Sequence, residues 1–354
     1  MRKFLIIILI IIAGCDKSII GNDPANTPVN NFEIFWQDFN NNYAQFNLRH
    51  INWDSIHIVY KSLVNNNMSD KQLFHVLSQL IYVINDMHVD LVTPFGYVHF
   101  KSPAYGLYPS SKIINGCKYL DCNTVEYNPI NDIYGFLGFK GNNIGFILVK
   151  SFEGEPASLL NLTDSSYYYI DNILQQLKDK DGIIIDVRDN PGGVIFNAQA
   201  IASRFADKLR LYQKYILKTG PGSNDFSGWY NLYISPSGSY QYQKPVVVLT
   251  SRATSSTAEC FVLAMKTFPQ VTVVGDTTGG GFGLPIIRVL PNGWTYRIST
   301  AIGESPSGEI VDGKGIFPDI PLQNSVNDSI QGIDRVLEKG IAVIEDKIAY
   351  SNKK

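Results

Sequence analysis

The chain has 354 residues, of which 45% are hydrophobic, 12% aromatic and 18% charged, and its formal net charge is −2. A chain of this length and composition can bury one large core or two coupled cores. The nearly balanced charge argues against a nucleic-acid partner. The five histidines and four cysteines show no zinc-binding spacing, so a metal cofactor is not expected.

The first 15 residues have the composition of an export signal. Arg2 and Lys3 precede a short apolar stretch, which ends in small residues and Cys15. The apolar stretch is short for a transmembrane helix, and Ile-Ala-Gly-Cys resembles a bacterial lipoprotein signal, in which Cys15 is lipidated and becomes the mature N-terminus. An uncleaved N-terminal anchor is the alternative, and both interpretations export the rest of the chain. Residues 16–30 are polar and predict a flexible tether.

Two regions are predicted between the tether and residue 143. Apolar residues recur at helical spacing from Phe32 to about Met87, which predicts an N-terminal helical domain over 31–92. Residues 93–142 contain many tyrosines and turn signals, which favours a small β-rich region. Within it, Cys117 and Cys122 can form a local disulfide in an oxidising compartment, whereas Cys260 is expected to be buried.

Strands and helices alternate from residue 143 onward. Buried strands are predicted at 144–149, 182–187, 246–249 and 271–274, and helices at 167–178, 198–207 and 258–266. This alternation predicts a mixed α/β fold whose βα core covers 143–322. An amphipathic helix at 333–347 lies in the closing segment, 323–354.

The turn that follows the strand at 246–249 carries the strongest chemical signal. Thr254-Ser255-Ser256-Thr257-Ala258-Glu259 presents hydroxyls where the strand gives way to a helix. The first free N–H groups of a helix point at such a hydroxyl, so a nucleophile and an oxyanion donor can arise together. The alternative is an ordinary helix start, with Glu259 completing a capping box. Ser255 is a second candidate nucleophile, but the spacing to Glu259 favours Ser256.

Three further segments can converge on this turn. Asp186 to Gly193 ends a buried strand in two glycines, Gly275 to Gly281 follows another strand, and Val311 to Ile320 contains a Pro-Asp-Ile sequence. Glycines let backbone N–H groups approach an anionic oxygen closely.

In this order and spacing, the four segments resemble the tail-specific, or C-terminal-processing, serine peptidase family. The similarity is to the branch typified by the tricorn core protease. It extends to Ile84-Asn85-Asp86-Met87-His88, which resembles that family's Asp-Gly-His motif with Met87 in place of glycine. The resemblance implies a crotonase-like or ClpP-like βα core with an N-terminal helical domain and a small β-rich insertion.

The resemblance also implies the site residues. The branch with a Ser–Lys dyad has its lysine at the position of Gly281, so the tricorn-like arrangement of serine, histidine and acid is expected instead. It maps onto Ser256 as nucleophile, His88 as general base and Asp312 as acid. Glu304 and Glu309 compete with Asp312, because the family usually has glutamate there. The oxyanion donors are expected to be the backbone N–H groups of Thr257 and of Gly192 or Gly193.

The implied protein is an exported, lipid-anchored serine peptidase in the envelope of a bacterium. It acts on a peptide or protein substrate and needs no cofactor. Only about 50 residues separate His88 from Ile144, so no PDZ domain is expected between them. Asp86 and Asp319 are interpreted as structural turn residues. Two alternatives use the same scaffold: a non-catalytic peptide- or lipid-binding protein, and an esterase.

Overall fold

The computed structural model describes residues 24–100, 118–120, 125–128, 133–136, 141–154 and 161–351. Its helices are α1 (Pro28–Asn42), α2 (Trp53–Lys61), α3 (Asp70–Ile84), α4 (Ile170–Leu177), α5 (Ile195–Ala202), α6 (Thr257–Lys266), α7 (Val326–Gln331) and α8 (Arg335–Ser351). A short 3₁₀ helix at Ser165–Tyr169 leads into α4.

The strands form three sheets. They are β1 (Asp90–Thr93), β2 (Gly96–His99), β3 (Val125–Asn128), β4 (Ile133–Phe136), β5 (Ile144–Val149), β6 (Gly182–Asp186), β7 (Arg210–Leu217), β8 (Tyr230–Ile234), β9 (Val246–Thr250), β10 (Val271–Gly275), β11 (Pro285–Val289), β12 (Thr295–Ser299), β13 (Ala301–Glu304) and β14 (Ile320–Pro321).

The largest sheet has seven strands in the order β14-β10-β9-β6-β5-β4-β3. The strands from β14 to β5 are parallel, and β4 and β3 extend the sheet antiparallel. Every residue of β5, β6 and β9 is buried, as expected for parallel strands covered on both faces. The predicted α/β layered core is therefore confirmed.

Alternate residues of these strands face two different helical layers. Ile183 and Ile185 pack in the cluster that contains α4, α5 and α6, whereas Ile184 packs with Leu337 and Ile344 of α8. Successive side chains of a strand point to opposite faces, so an uninterrupted apolar run such as Gly182–Asp186 supplies both layers. The carboxyl ends of β6, β9 and β10 consequently lie together at one edge of the sheet.

The N-terminal helices pack on a four-stranded antiparallel sheet in the order β11-β12-β1-β2, and together they form the N-terminal body. Helices α1 and α3 bury their apolar faces in one cluster with side chains of β1 and β12. The segment predicted as a small β-rich region contributes β2 to this sheet, and it contributes β3 and β4 to the seven-stranded sheet. The third sheet has the order β13-β7-β8.

Helix boundaries follow local capping. Helix α1 begins at Pro28, within the predicted tether, because Thr27 accepts a hydrogen bond from the Asn30 N–H and proline suits the first helical turn. Helix α5 begins and ends earlier than expected, at Ile195 and Ala202. Among the residues described, no helix has the length and apolarity needed to cross a bilayer. The predicted export signal with Cys15 lies outside the described residues, as does the Cys117 and Cys122 pair.

Candidate active site

The turn between β9 and α6 holds Ser256 in an unusual backbone conformation. Its φ is 57° and its ψ is −127°, directly before the first residue of α6. Positive φ in a residue other than glycine costs on the order of 1–3 kcal/mol and persists only where the surroundings enforce it. The strain at this residue is consistent with a role for the exposed hydroxyl.

The Glu259 carboxylate enforces this conformation from inside the protein. Its Oε2 accepts the Ser256 N–H at 3.0 Å and the Gly281 N–H at 2.8 Å, while Oε1 accepts from the Gly280 N–H at 2.7 Å and the Thr278 hydroxyl at 2.5 Å. Burial raises the pKa of Glu259 to about 7, against four donors that favour the ionised form. The sequence predicted only the bond to Ser256; the other three tie the turn to the glycine-rich segment after β10.

The two adjacent serines have different environments. Ser255 is 4% exposed, its hydroxyl donates to the Pro191 carbonyl, and its N–H donates to the Asn190 carbonyl. Ser256 is partly exposed and lines the cavity, and its N–H rather than its hydroxyl is the group held by the Glu259 carboxylate. The structure therefore favours Ser256 over Ser255 as the reactive hydroxyl.

Two backbone N–H groups beside Ser256 suit an oxyanion. The Gly192 N–H is not one of these two, because it donates a hydrogen bond to Asn190 Oδ1 at 2.9 Å. The N–H groups of Gly193 and Thr257 make no hydrogen bond to any described residue, and both residues line the cavity. The Thr257 hydroxyl donates to the Gly193 carbonyl, which joins the two backbones. Of the two glycines that the sequence left open, the geometry favours Gly193 as the donor.

Gly192 supports the turn by its lack of a side chain. Its φ is +108°, and a Cβ atom there would lie 2.7 Å from the Ser256 Cβ and 2.9 Å from the Thr257 nitrogen. Any larger residue would push the turn away from the end of β6.

His88 reaches the same cavity from the N-terminal body. It follows a tight turn in which Asp86 Oδ1 accepts the His88 N–H at 2.9 Å, so Asp86 has the structural role expected from the sequence. His88 is 7% exposed, and burial lowers its pKa below 6.5, with Asp86 opposing the shift. Its Nδ1 is buried without a hydrogen-bond partner, which leaves Nε2 as the nitrogen accessible from the cavity. No hydrogen bond joins His88 to Ser256 among the described contacts.

Met87 and Gly281 fit together beside His88. A Cβ atom at Gly281 would overlap the Met87 sulfur, would lie 2.7 Å from the Met87 Cγ and would lie 3.2 Å from the His88 Cε1. The methionine thus occupies the space into which a side chain at position 281 would extend. Met87, which stands in place of the expected glycine, and Gly281 are therefore complementary in space.

These elements enclose a cavity of about 750 Å³. Its walls combine the candidate catalytic groups with apolar and aromatic side chains. The lining residues are Met87, His88, Tyr97, His99, Phe100, Glu153, Pro191, Gly193, Ile195, Ser255, Ser256, Thr257, Cys260, Phe282, Leu284, Pro285 and Arg297. Cys260 is a half-buried lining residue, and burial raises the pKa of its thiol, which keeps it neutral. Within the described ranges, no cluster of three or more metal-ligating side chains occurs.

Asp312 is buried beside the cavity rather than on its lining. Its carboxylate accepts from Gln45 Nε2 at 2.8 Å, from the Phe282 N–H at 3.1 Å and from the Gly303 N–H at 2.8 Å. Burial raises its pKa to about 7. It makes no direct hydrogen bond to His88 among the described contacts, and it fixes the backbone that follows Gly281.

The other candidate acids are directed elsewhere. Glu304 pairs with Lys214, and Glu309 is exposed. Asp319 accepts the Val273 N–H at 2.8 Å and pairs with Lys266, which agrees with a structural role.

Most of the described chain matches two known protein-family models. The model of peptidase family S41 matches residues 143–322, just over half of the chain, and that of the tricorn protease C1 domain matches residues 24–82. The chain belongs to peptidase family S41. It is 29% identical over 195 residues to the carboxy-terminal processing protease CtpA of Bacillus subtilis, covering 55% of this chain and 38% of that protein. A carboxy-terminal-processing protease of Bartonella bacilliformis is 24% identical over 185 residues, or 51% of this chain and 41% of that protein. The chain thus spans about two fifths of the length of these curated relatives.

Solved structures of this family share the whole architecture. The structure of a candidate peptidase from Parabacteroides merdae superposes with a TM-score of 0.79 and 29% identity, covering 90% of this chain and 97% of that one. Mature CPAF in complex with lactacystin superposes with a TM-score of 0.67 and 13% identity, over 92% of this chain and 99% of that one, which shows the fold alone.

Proposed function

We propose that this S41 chain is a serine peptidase that cleaves peptide bonds through an acyl-enzyme at Ser256, with His88 as general base. One observation carries the proposal: a strained serine at a helix start lies in one cavity with a neutral, buried histidine and two unpaired backbone N–H groups. A serine hydroxyl is a weak nucleophile near neutral pH and needs such a base.

The residues of the cavity divide the steps of this mechanism between them. His88 Nε2 takes the proton from Ser256 Oγ as the oxygen attacks the substrate carbonyl carbon, and the N–H groups of Thr257 and Gly193 bind the resulting oxyanion. His88 then protonates the leaving amine as the C–N bond breaks. In the second half, His88 takes a proton from water as the water oxygen attacks the ester carbonyl carbon. His88 then returns this proton to Ser256 Oγ as the bond between that oxygen and the acyl carbon breaks, which releases the acid and restores the free serine.

Asp312 contributes by holding the site together. Its carboxylate anchors the Phe282 and Gly303 N–H groups and the Gln45 amide, which keeps Gly281 packed against Met87 and His88. We assign it as a positioning residue. In Asp312→Asn, one of the two backbone N–H groups would face the NH₂ of the new amide and lose its hydrogen bond, which would loosen the packing of Gly281 against His88. The variant is therefore expected to lower kcat more than it raises KM.

The test uses the full-length protein in detergent, with a mixed peptide library and a serine-directed fluorophosphonate. Ser256→Ala and His88→Ala are expected to abolish cleavage, whereas Ser255→Ala, the matched neighbour, retains it. A folded wild-type protein that neither cleaves peptides nor reacts with the probe would contradict the proposal and favour a binding protein. Turnover of small esters without any peptide cleavage would favour an esterase.

We also propose that the protein is a lipoprotein of the bacterial cell envelope, anchored through Cys15. The Ile-Ala-Gly-Cys sequence after a short apolar stretch supports this. Metabolic labelling with an alkyne fatty acid is expected to mark the wild-type protein and leave Cys15→Ser unlabelled. Equal labelling of both would contradict the assignment.

A further inference from the structure

The turn that follows α1 connects two parts of the active site. It covers residues 43–51, and its backbone closes through hydrogen bonds from the Arg49 N–H to the Gln45 carbonyl and from the Ile51 N–H to the Phe46 carbonyl. Side chains four residues apart in such a turn lie side by side. Arg49 Nε and Nη2 accordingly donate to Gln45 Oε1 at 3.2 and 3.1 Å.

Gln45 joins this turn to Asp312. It is 1% exposed, and its Nε2 donates to Asp312 Oδ1 at 2.8 Å. A guanidinium can only donate hydrogen bonds, so the amide oxygen of Gln45 must face Arg49 and its NH₂ must face the carboxylate. The Ala44 N–H also donates to the Ser299 carbonyl at 3.0 Å, which fixes the turn to the end of β12.

Arg49 joins the same turn to the segment that carries His88. Asn85 ends α3 with a φ of 54°, and Arg49 Nη1 donates to its carbonyl. Arg49 Nη2 lies 3.7 Å from Asp86 Oδ2, which also accepts the Tyr43 hydroxyl at 3.0 Å. Asp86 Oδ1 accepts the His88 N–H at 2.9 Å. A positive φ outside glycine persists only where the surroundings enforce it, and Arg49 contributes to that enforcement.

The chemistry of arginine suits this position. The Arg49 side chain is 16% exposed and that of Asp86 is 1% exposed, so their contact is shielded from water. A guanidinium has five donors in a rigid fork, so one side chain can bind Gln45, Asn85 and Asp86 together. Hydrogen bonds from a charged donor are roughly twice as strong as those between neutral groups. Arg49 is not among the described residues that line the cavity, so its effect on a substrate must pass through His88.

We propose that Arg49 is a positioning residue, which fixes the turn carrying His88 to the buried Asp312 network. This inference rests on the proposed peptidase function and deepens it. A general base must lie within hydrogen-bond reach of the nucleophile, and a displacement of about 1 Å can cost about 100-fold in rate. Without the guanidinium, the turn loses its link to the rest of the site, and the imidazole is no longer held against Ser256.

The first test is steady-state cleavage of one fluorogenic peptide by the full-length protein in detergent. Arg49→Met keeps an apolar stem and removes all five donors, so kcat is expected to fall by about 10- to 100-fold while KM stays nearly unchanged. Arg49→Lys keeps a charge with fewer donors and is expected to recover part of this loss. Wild-type kcat in Arg49→Met, or a lysine variant no more active than the methionine variant, would overturn the inference.

A control variant and an unfolding measurement separate positioning from a merely structural role. Arg288 also belongs to the N-terminal body and lies 4.0 Å from Asp38, but it does not line the cavity, so Arg288→Met is expected to keep the wild-type kcat. A merely structural role for Arg49 would lower the midpoint of urea unfolding and leave the kcat of the folded protein unchanged. Rates are therefore compared under conditions in which circular dichroism shows each variant to be folded.

A double variant tests the link to Asp312. Arg49→Met and Asp312→Asn act on one hydrogen-bonded network, so their combined loss in kcat is expected to be smaller than the product of the two single losses. A combined loss equal to that product would overturn the link between Arg49 and Asp312.

A spectroscopic measurement makes the result independent of turnover. The protein is labelled with ¹³C at the histidine Cε1 atoms, and the His88 signal is assigned from its absence in His88→Ala. Arg49→Met is expected to shift this signal and to leave that of His75 in place, since His75 lies roughly 15 Å along α3 from Asn85. If wild type cleaves no peptide, the proposed function fails, while the spectrum still decides whether Arg49 positions His88. An unchanged His88 signal in Arg49→Met would overturn the inference.

Discussion

Replacing Gly281 with alanine is expected to slow peptide hydrolysis by displacing Met87 and His88. The new Cβ would lie 2.7 Å from the Met87 Cγ, whereas ordinary carbon contacts are roughly 3.5–4.0 Å. The methionine must therefore move by about 1 Å, and the imidazole, whose Cε1 would be 3.2 Å from the new atom, must also shift. A misplacement of about 1 Å at a catalytic group can cost about 100-fold in rate.

The loss of activity should appear in kcat and should not be caused by unfolding of the protein. Methionine is flexible, so the overlap is expected to lower the free energy of unfolding by only about 1–3 kcal/mol. The assay is steady-state cleavage of one fluorogenic peptide, with urea unfolding measured on the same samples. Gly228→Ala is the matched control, because a Cβ atom at Gly228 meets nothing within 4 Å.

Removing the obstructing methionine provides the decisive comparison. In the Gly281→Ala, Met87→Ala double variant, the overlap with the methionine disappears, and part of the lost rate is expected to return. Full activity in Gly281→Ala would refute the reasoning. A double variant less active than the product of the two single effects would refute it as well.

Three further predictions concern the groups around the site. Glu259→Gln turns an amide NH₂ toward two of the four donors that now bind the carboxylate. Urea unfolding is therefore expected to show a free energy of unfolding lower by on the order of 2–4 kcal/mol, and a decrease under 1 kcal/mol would contradict the donor assignment. Since burial lowers the pKa of His88, the neutral base persists in mild acid, and kcat/KM is expected to fall to half its plateau at a pH below 6.5; a midpoint above 6.5 would contradict this. Arg188 is 4% exposed and pairs with Asp186 and Asp334, so Arg188→Met leaves both carboxylates without this partner. The free energy of unfolding is expected to fall by about 3–5 kcal/mol, and a value like that of wild type would contradict the burial of these charges.

The layered core could be predicted because its signals are local. Runs such as Ile183-Ile184-Ile185 are apolar without interruption, and such runs indicate strands buried on both faces. The sheet of the N-terminal body could not be predicted in this way. Its β1 pairs with β12 across more than 200 residues, and β1 has only four residues, which do not alternate strictly between apolar and polar.

The residues of the site also divide into those with a local sequence signal and those that depend on long-range contacts. The sequence pointed to Ser256, Thr257 and the paired glycines as candidates because a strand, a turn and a helix follow one another there. The three bonds of Glu259 beyond Ser256 depend on a glycine-rich segment about 20 residues away, so the capping pattern predicted a single bond.

Arg49 was missed entirely by sequence reasoning. It is one charged residue in a turn, and only the folded chain brings it to Asn85, which lies 36 positions further along. Met87 was recognised as a departure from the family pattern, but its packing against Gly281 is a long-range contact that no local pattern encodes.

The central claim is that Ser256 is the nucleophile, and the most direct test is to locate a covalent adduct. Full-length protein is treated with a fluorophosphonate, digested, and analysed by tandem mass spectrometry. We expect one phosphonylated residue, Ser256. Labelling should be retained in Ser255→Ala, lost in Ser256→Ala and strongly slowed in His88→Ala. An adduct on Ser255, or labelling that survives Ser256→Ala, would contradict this claim.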